Sequence, residues 1–159
     1  ASDFNTLYFQ QEGKTIRRCN FNTNWLLSCH KDAKNKRIIN NMILCSGSLI
    51  GGMNPFFQFT KLLITDDQWK NCWNAGFDQG DFNYIFYTKW QKFANFSLIS
   101  TKLLTCEDRF MTLFYCMKPP VSLNGKNQIQ SPRTNNTIIF MHQYNRFLNL
   151  SLFTNQICK

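Results

Sequence analysis

Met42-Ile43-Leu44-Cys45-Ser46-Gly47-Ser48-Leu49-Ile50-Gly51-Gly52-Met53-Asn54-Pro55-Phe56-Phe57 is the stretch that decides the fold class. Met42 to Cys45 is a short apolar run of the kind that forms a buried strand. The glycines after it permit a tight bend or a close approach of backbone to a ligand. Asn54 and Pro55 then predict a helix start, an N-cap residue followed by proline at the first helical position. Phe56, Phe59, Leu62 and Leu63 continue as a helical stripe towards Trp69. Strand, glycine turn and helix in succession predict an α/β fold with a mixed sheet flanked by helices. The glycines lack G-x-G-x-x-G or P-loop spacing, so they are not read as a phosphate loop.

Downstream, Gly76-Phe77-Asp78-Gln79-Gly80-Asp81-Phe82-Asn83-Tyr84-Ile85-Phe86 predicts a second helix. Asp78 is a suitable N-cap, because its carboxylate can accept hydrogen bonds from the free amides of the first turn. Phe82, Ile85 and Phe86 form its buried stripe. Phe96 to Ser100 and Thr112 to Met117 read as strands, and 124–136 as a long polar loop. Thr137 to Met141 reads as a strand that delivers His142-Gln143-Tyr144-Asn145-Arg146 at its carboxyl end, where ligands bind in open α/β sheets. Upstream, Asp3 to Phe9 suggests a short strand, Gln10 to Asn24 a loop, Trp25 to Leu27 one helical turn, and 31–41 a charged surface connection.

The 159 residues fit one domain with a real core, and the 43% hydrophobic content with sixteen Phe argues against disorder. The net charge of +9 would suit an acidic partner. The basic residues are scattered, however, and no nucleic-acid-binding module accompanies them, so no nucleic-acid partner is assigned. Seven cysteines without C-x-x-C spacing argue against structural zinc and for an oxidising compartment. Their odd number leaves a free thiol, an intermolecular bridge or a partner outside the chain. Three glycosylation sequons, at Asn95, Asn135 and Asn149, point the same way. The longest apolar run is too short to span a membrane.

Candidate chemistry is sparse. His142, with Gln, Tyr and Arg close behind it, is suited to metal ligation or hydrogen bonding. His30 lies in a basic loop and is expected to be exposed. Among nine carboxylates, Asp66-Asp67 reads as a solvated acidic turn, and Asp3 stands alone before a strand.

Taken in order, Cys45-Ser46-Gly47, Gly51-Gly52, Gly76-Phe77-Asp78-Gln79-Gly80 with Asn83, and His142-Gln143-Tyr144-Asn145-Arg146 resemble the C-terminal half of a GT-A-type nucleotide-diphospho-sugar glycosyltransferase domain. Ser2 to Gln10 is similar to that family's metal-site strand. The resemblance implies a partial glycosyltransferase domain over 1–159, with the N-terminal nucleotide-binding half and any membrane anchor expected outside this sequence. It implies transfer of a sugar from a nucleotide-diphosphate donor to a glycan or protein acceptor, in the secretory pathway and the Golgi lumen. Asp3 and His142 would hold a divalent cation, Mn²⁺ or Mg²⁺. Asp78 and Gln79 would be catalytic, and Ser46, Gly47, Gly51, Gly52 and Asn83 would bind substrate. Thr6 stands where the family pattern has a second acidic residue, and Asn145 where it has Asp. The rival reading is a non-catalytic secreted carbohydrate-binding domain, which Thr6 favours.

Overall fold

The computed structural model describes residues 4–67, 77–105, 108, 122–123, 125–126, 128–130 and 135–138. The chain divides into two compact units, Ala1–Leu103 and Leu104–Lys159. The fold is α/β: a mixed three-stranded sheet is flanked by helices.

Strand β1 spans Thr6–Thr15, β2 Met42–Gly51 and β3 Ser100–Leu104, with spatial order β2-β1-β3. β1 and β2 are antiparallel. β3 advances in step with β1: the Ser100 N–H donates to the Asn5 carbonyl at 2.9 Å, and Lys102 Nζ lies over the Tyr8 ring. Helix α1 covers Asn20–Cys29, α2 Met53–Ile64, α3 Phe77–Ile85 and α4 Gln91–Phe96. A π-helical turn, Phe86–Trp90, joins α3 to α4.

β1 sends Leu7 and Phe9 into the core, as alternation along a strand requires. The Phe9 ring meets Phe59 of α2 at 4.9 Å and Phe86 at 4.6 Å, both edge-on, with Phe82 and Trp90 at 5.8 and 6.1 Å. Edge-to-face packing of this kind sets the negative face of one ring against the positive rim of the next. The stripe expected on α3, Phe82, Ile85 and Phe86, is buried. On α2 the stripe is narrower than its spacing suggests: Phe59 is buried and Phe56 exposed.

Several local expectations are corrected. β1 runs six residues beyond Phe9, to Thr15, because antiparallel pairing with β2 carries it through a polar stretch. The expected turn at 46–51 lies within β2, since Leu49, Ile50 and Gly51 pair with β1 and the residues before them form a bulge in the strand. α1 forms from an Asn-rich segment of low intrinsic helix propensity. It is held by packing on α3, and Thr23 Oγ1 donates to the Ile16 carbonyl at 2.8 Å. α2 begins at Met53 after Gly52, so Asn54 and Pro55 lie inside its first turn, where a missing proline N–H costs nothing. The segment expected as a strand from Phe96 holds the last residue of α4 and a turn, and the strand begins at Ser100. Asp66 is buried and pairs with Lys89 Nζ at 2.7 Å, so it is no solvated turn. His30 is fully buried.

In the second unit, β4 Ser122–Leu123 pairs antiparallel with β5 Ile129–Gln130, and Gln130 bridges to Thr137. The expected loop at 124–136 thus contains a strand. The expected strand at 112–117 and most of that at 137–141 lie outside the described residues. Among the described residues no helix is long and apolar enough to cross a membrane.

Candidate functional site

Two β-bulges stand on either side of the Gln11↔Leu44 pairing. Between Phe9↔Leu49 and Gln11↔Leu44, β2 residues 45–48 oppose Gln10 alone. Between Gln11↔Leu44 and Thr15↔Met42, β1 residues 12–14 oppose Ile43 alone, and Gly13 adopts φ 71° there. A left-handed residue of this kind favours glycine. Bulges interrupt the ladder and re-aim side chains, and they are enriched beside active sites. Here they turn Ser46 and Glu12 towards the start of α3.

β2 is an edge strand, and α3 completes that edge. The Leu44 N–H donates to Asn83 Oδ1 at 2.8 Å, while Asn83 Nδ2 donates to the Leu44 carbonyl at 2.9 Å. One turn earlier, Gln79 Oε1 accepts from the Ser46 N–H at 2.8 Å. Residues i and i+4 rise about 6 Å along a helix, and i and i+2 rise about 6.6 Å along a strand. Gln79 and Asn83 therefore match Ser46 and Leu44 in spacing and act as a substitute neighbouring strand. This satisfies backbone groups that an open edge would leave unpaired.

The polar cluster is built on that pairing. Ser46 Oγ lies 3.0 Å from Asp78 Oδ2 and 2.8 Å from Gln79 Oε1, and Gln79 Nε2 donates to Glu12 Oε1 at 2.9 Å. The Gln79 amide is oriented from both ends, because its oxygen must face the Ser46 N–H and its nitrogen the Glu12 carboxylate. The Ser46 hydroxyl carries one proton and faces two acceptors. Around the Ser46 hydroxyl, acceptors thus outnumber the protons available to them. Asp78 is exposed, Ser46 and Glu12 are half-buried, and Gln79 is buried. Asp78 sits in the first turn of α3 rather than at its cap, where a carboxylate still meets the positive end of the helix dipole. Next to Ser46, burial pushes the Cys45 thiol above its ordinary range, and the Glu12 charge adds to the shift. Cys45 therefore stays a thiol rather than a nucleophilic thiolate.

The predicted residues divide as follows. Ser46, Asp78 and Gln79 come together from distant parts of the chain. Asn83 is buried, and its amide is engaged by Leu44 and by the Gln79 carbonyl at 2.8 Å, which places it behind the cluster as a support. Gly47 is exposed in the β2 bulge. Gly51 faces the start of β1 and Gly52 the residues just before it: a Cβ on Gly51 would lie 2.5 Å from the Thr6 carbonyl oxygen, and one on Gly52 would clash with the Phe4 carbonyl. Their small size is used by strand packing. Thr6 is fully buried, and its hydroxyl has no hydrogen-bond partner among the described residues. Asp3 and His142 lie outside the described residues. Among the described residues no three His, Cys, Asp or Glu side chains converge as a metal would require.

Glu12 was given no role by its sequence context. The available signal is Gly13 beside it, a glycine inside a strand, which marks a bulge. Behind the cluster, His30 Nε2 meets Asp81 Oδ1 at 2.8 Å with both side chains fully buried, and the His30 ring stacks on Tyr84 at 3.6 Å. Tyr84 donates to Asp32 Oδ2 at 3.0 Å, and Lys36 pairs with the same oxygen at 2.7 Å. The Lys36 and Tyr84 hydrogen bonds hold the Asp32 carboxyl below its ordinary range. This network ties α3 to the segment that follows α1.

Comparison with protein-family models, with curated proteins and with solved structures gives no match.

Proposed function

We propose that the chain is part of a glycosyltransferase that moves a sugar from a nucleotide-diphosphate donor to a glycan or protein acceptor. The observation that carries this reading is the surplus of acceptors around the Ser46 hydroxyl, whose one proton faces both Asp78 and Gln79. A sugar presents many hydroxyl donors, and a site of this composition is complementary to them. The exposed Asp78 carboxylate accepts from a sugar or acceptor hydroxyl and orients its oxygen towards the anomeric carbon, whose bond to the diphosphate breaks. Ser46 holds Asp78 in place, Gln79 holds Ser46, Glu12 holds Gln79, and Asn83 fixes α3 on the sheet. Gly47 keeps the rim of the bulge open, and Gly51 and Gly52 let β1 approach closely enough to support it.

Asp3 and His142 are the residues that would hold Mn²⁺ or Mg²⁺, which when bound neutralises charge on the departing diphosphate. The resemblance in the order of the motifs supports the GT-A assignment. The disulfide at Cys29 supports an oxidising compartment, and with it the secretory pathway and the Golgi lumen.

Nucleotide-sugar consumption by the full-length protein tests the reading. It is expected to require Mn²⁺ and to fall sharply in Asp78→Ala and in His142→Ala. Unchanged rates in both variants would overturn the residue assignments. The buried Thr6 supports the second reading, a carbohydrate-binding domain without metal chemistry. Calorimetry with Mn²⁺ and nucleotide sugars separates the two, since a binding domain of that kind gives no metal-dependent heat.

A further inference from the structure

We infer that Asn95 carries an N-linked glycan. Asn95-Phe96-Ser97 is an acceptor triplet with Phe at the tolerated middle position. Such a triplet is often buried or engaged in a folded protein and is then unable to accommodate a sugar. Here Asn95 lies in the last turn of α4 and is exposed, and its side-chain amide has no hydrogen bond among the described residues. Phe96 is 92% and Leu98 86% exposed, so the chain on both sides of Ser97 also faces outward. The turn is held through its backbone groups: the Ser97 N–H donates to the Phe93 carbonyl at 2.9 Å, and Leu98 adopts φ 55° with its carbonyl accepting from the Asn5 side chain at 2.8 Å. The Ser97 hydroxyl, which the transfer reaction requires, takes no part in these contacts.

A second, independent observation concerns the compartment. Cys29 is disulfide-bonded, as expected of a chain that passes through an oxidising lumen where the glycan donor is found. In the transfer, a bond forms between Asn95 Nδ2 and the anomeric carbon of a lipid-diphosphate-linked oligosaccharide. The bond from that carbon to the diphosphate oxygen breaks, Nδ2 loses one proton, and the lipid diphosphate leaves. The fold has room for the product. The sugar projects from the end of α4 beside Phe96 and Leu98, and shields apolar surface that is otherwise in water.

The inference rests on the lumenal placement proposed above but not on glycosyltransferase activity, and the test separates the two. The full chain is expressed in animal cells behind a cleavable secretory leader, so that entry to the lumen is imposed. Mobility is then compared before and after enzymatic deglycosylation in heavy-oxygen water, with peptide mass spectrometry at each sequon. The expected result is labelled Asp at position 95, loss of one glycan's mobility shift in Asn95→Gln and Ser97→Ala, and retention in Ser97→Thr. A secreted, disulfide-bonded chain whose position 95 is unlabelled, or an Asn95→Gln variant with wild-type mobility, would overturn it. Ser97→Thr keeps the test decisive if the other variants secrete poorly, because it preserves the acceptor with a minimal change.

Discussion

Replacing Asn83 by leucine isolates the role of α3 as a substitute strand. The Leu44 N–H and carbonyl are buried and both point at the Asn83 amide. Leucine fills nearly the same volume without an acceptor or a donor, so these two backbone groups lose their partners. Each buried group left unsatisfied costs about 1–3 kcal/mol, which sums to roughly 2–6 kcal/mol. That is a large part of the ~5–15 kcal/mol total typical of a folded domain. At a urea dependence of about 2 kcal/mol per molar, a central loss of ~4 kcal/mol lowers the unfolding midpoint by about 2 M with the slope unchanged. The assay is urea unfolding followed by tryptophan fluorescence, with amide exchange at Leu44 as a local probe. Asn83→Ala serves as the comparison, because it adds a cavity to the same polar loss. If the cavity accounted for most of the loss, leucine would restore most of the stability lost in alanine. A leucine variant within about 0.5 kcal/mol of wild type, inside the range of ordinary surface substitutions, would refute the substitute-strand argument.

Other perturbations test the surrounding scaffold. In Gly80→Ala the new Cβ would lie 2.6 Å from the Trp25 carbonyl oxygen and 2.9 Å from the Leu26 nitrogen, both backbone atoms of α1. Overpacking of about 1–3 kcal/mol then outweighs the ~1 kcal/mol gain in helix propensity, and a raised thermal midpoint would contradict this. Asp81→Ala leaves the His30 Nε2 buried without its hydrogen-bond partner at a cost of about 1–3 kcal/mol, and a calorimetric loss below ~0.5 kcal/mol would reject the buried pair as a structural tie. The Tyr87 hydroxyl donates to the Met42 carbonyl at 2.6 Å, and burial raises its pKa above the ordinary tyrosine value. The unfolded chain therefore releases this proton first, so the contribution of Tyr87 is complete below about pH 10 and is lost as pH rises beyond it. Tyr87→Phe is expected to flatten that alkaline limb of a stability-against-pH curve while costing about 1 kcal/mol at neutral pH.

Much of the fold class is legible in residue order alone. The apolar run at Met42 to Cys45, the helix after Gly52 and the stripe Phe82, Ile85 and Phe86 are local patterns, and all three occur where periodicity places them. Asp78, Gln79 and Ser46 are also singled out by the motifs that contain them. What the sequence alone could not supply is the pairing register between segments far apart in the chain. The two facing bulges exist only because β1 and β2 pair with offsets, and neither strand shows by itself which residues its partner will skip. Glu12 gains a role through that register, and Asn83 becomes a support because its spacing to Gln79 matches the repeat of the strand edge beside it. His30 is buried for a related reason: Asp81 and Tyr84, which satisfy and cover it, come from α3 and reach it only after packing. Sequence thus determined the strand at Met42 and the helices after Gly52 and around Phe82, because those patterns depend on neighbours within a few residues. Tertiary structure decided which polar groups meet, because hydrogen bonds over long sequence separations depend on register and packing that no local pattern encodes.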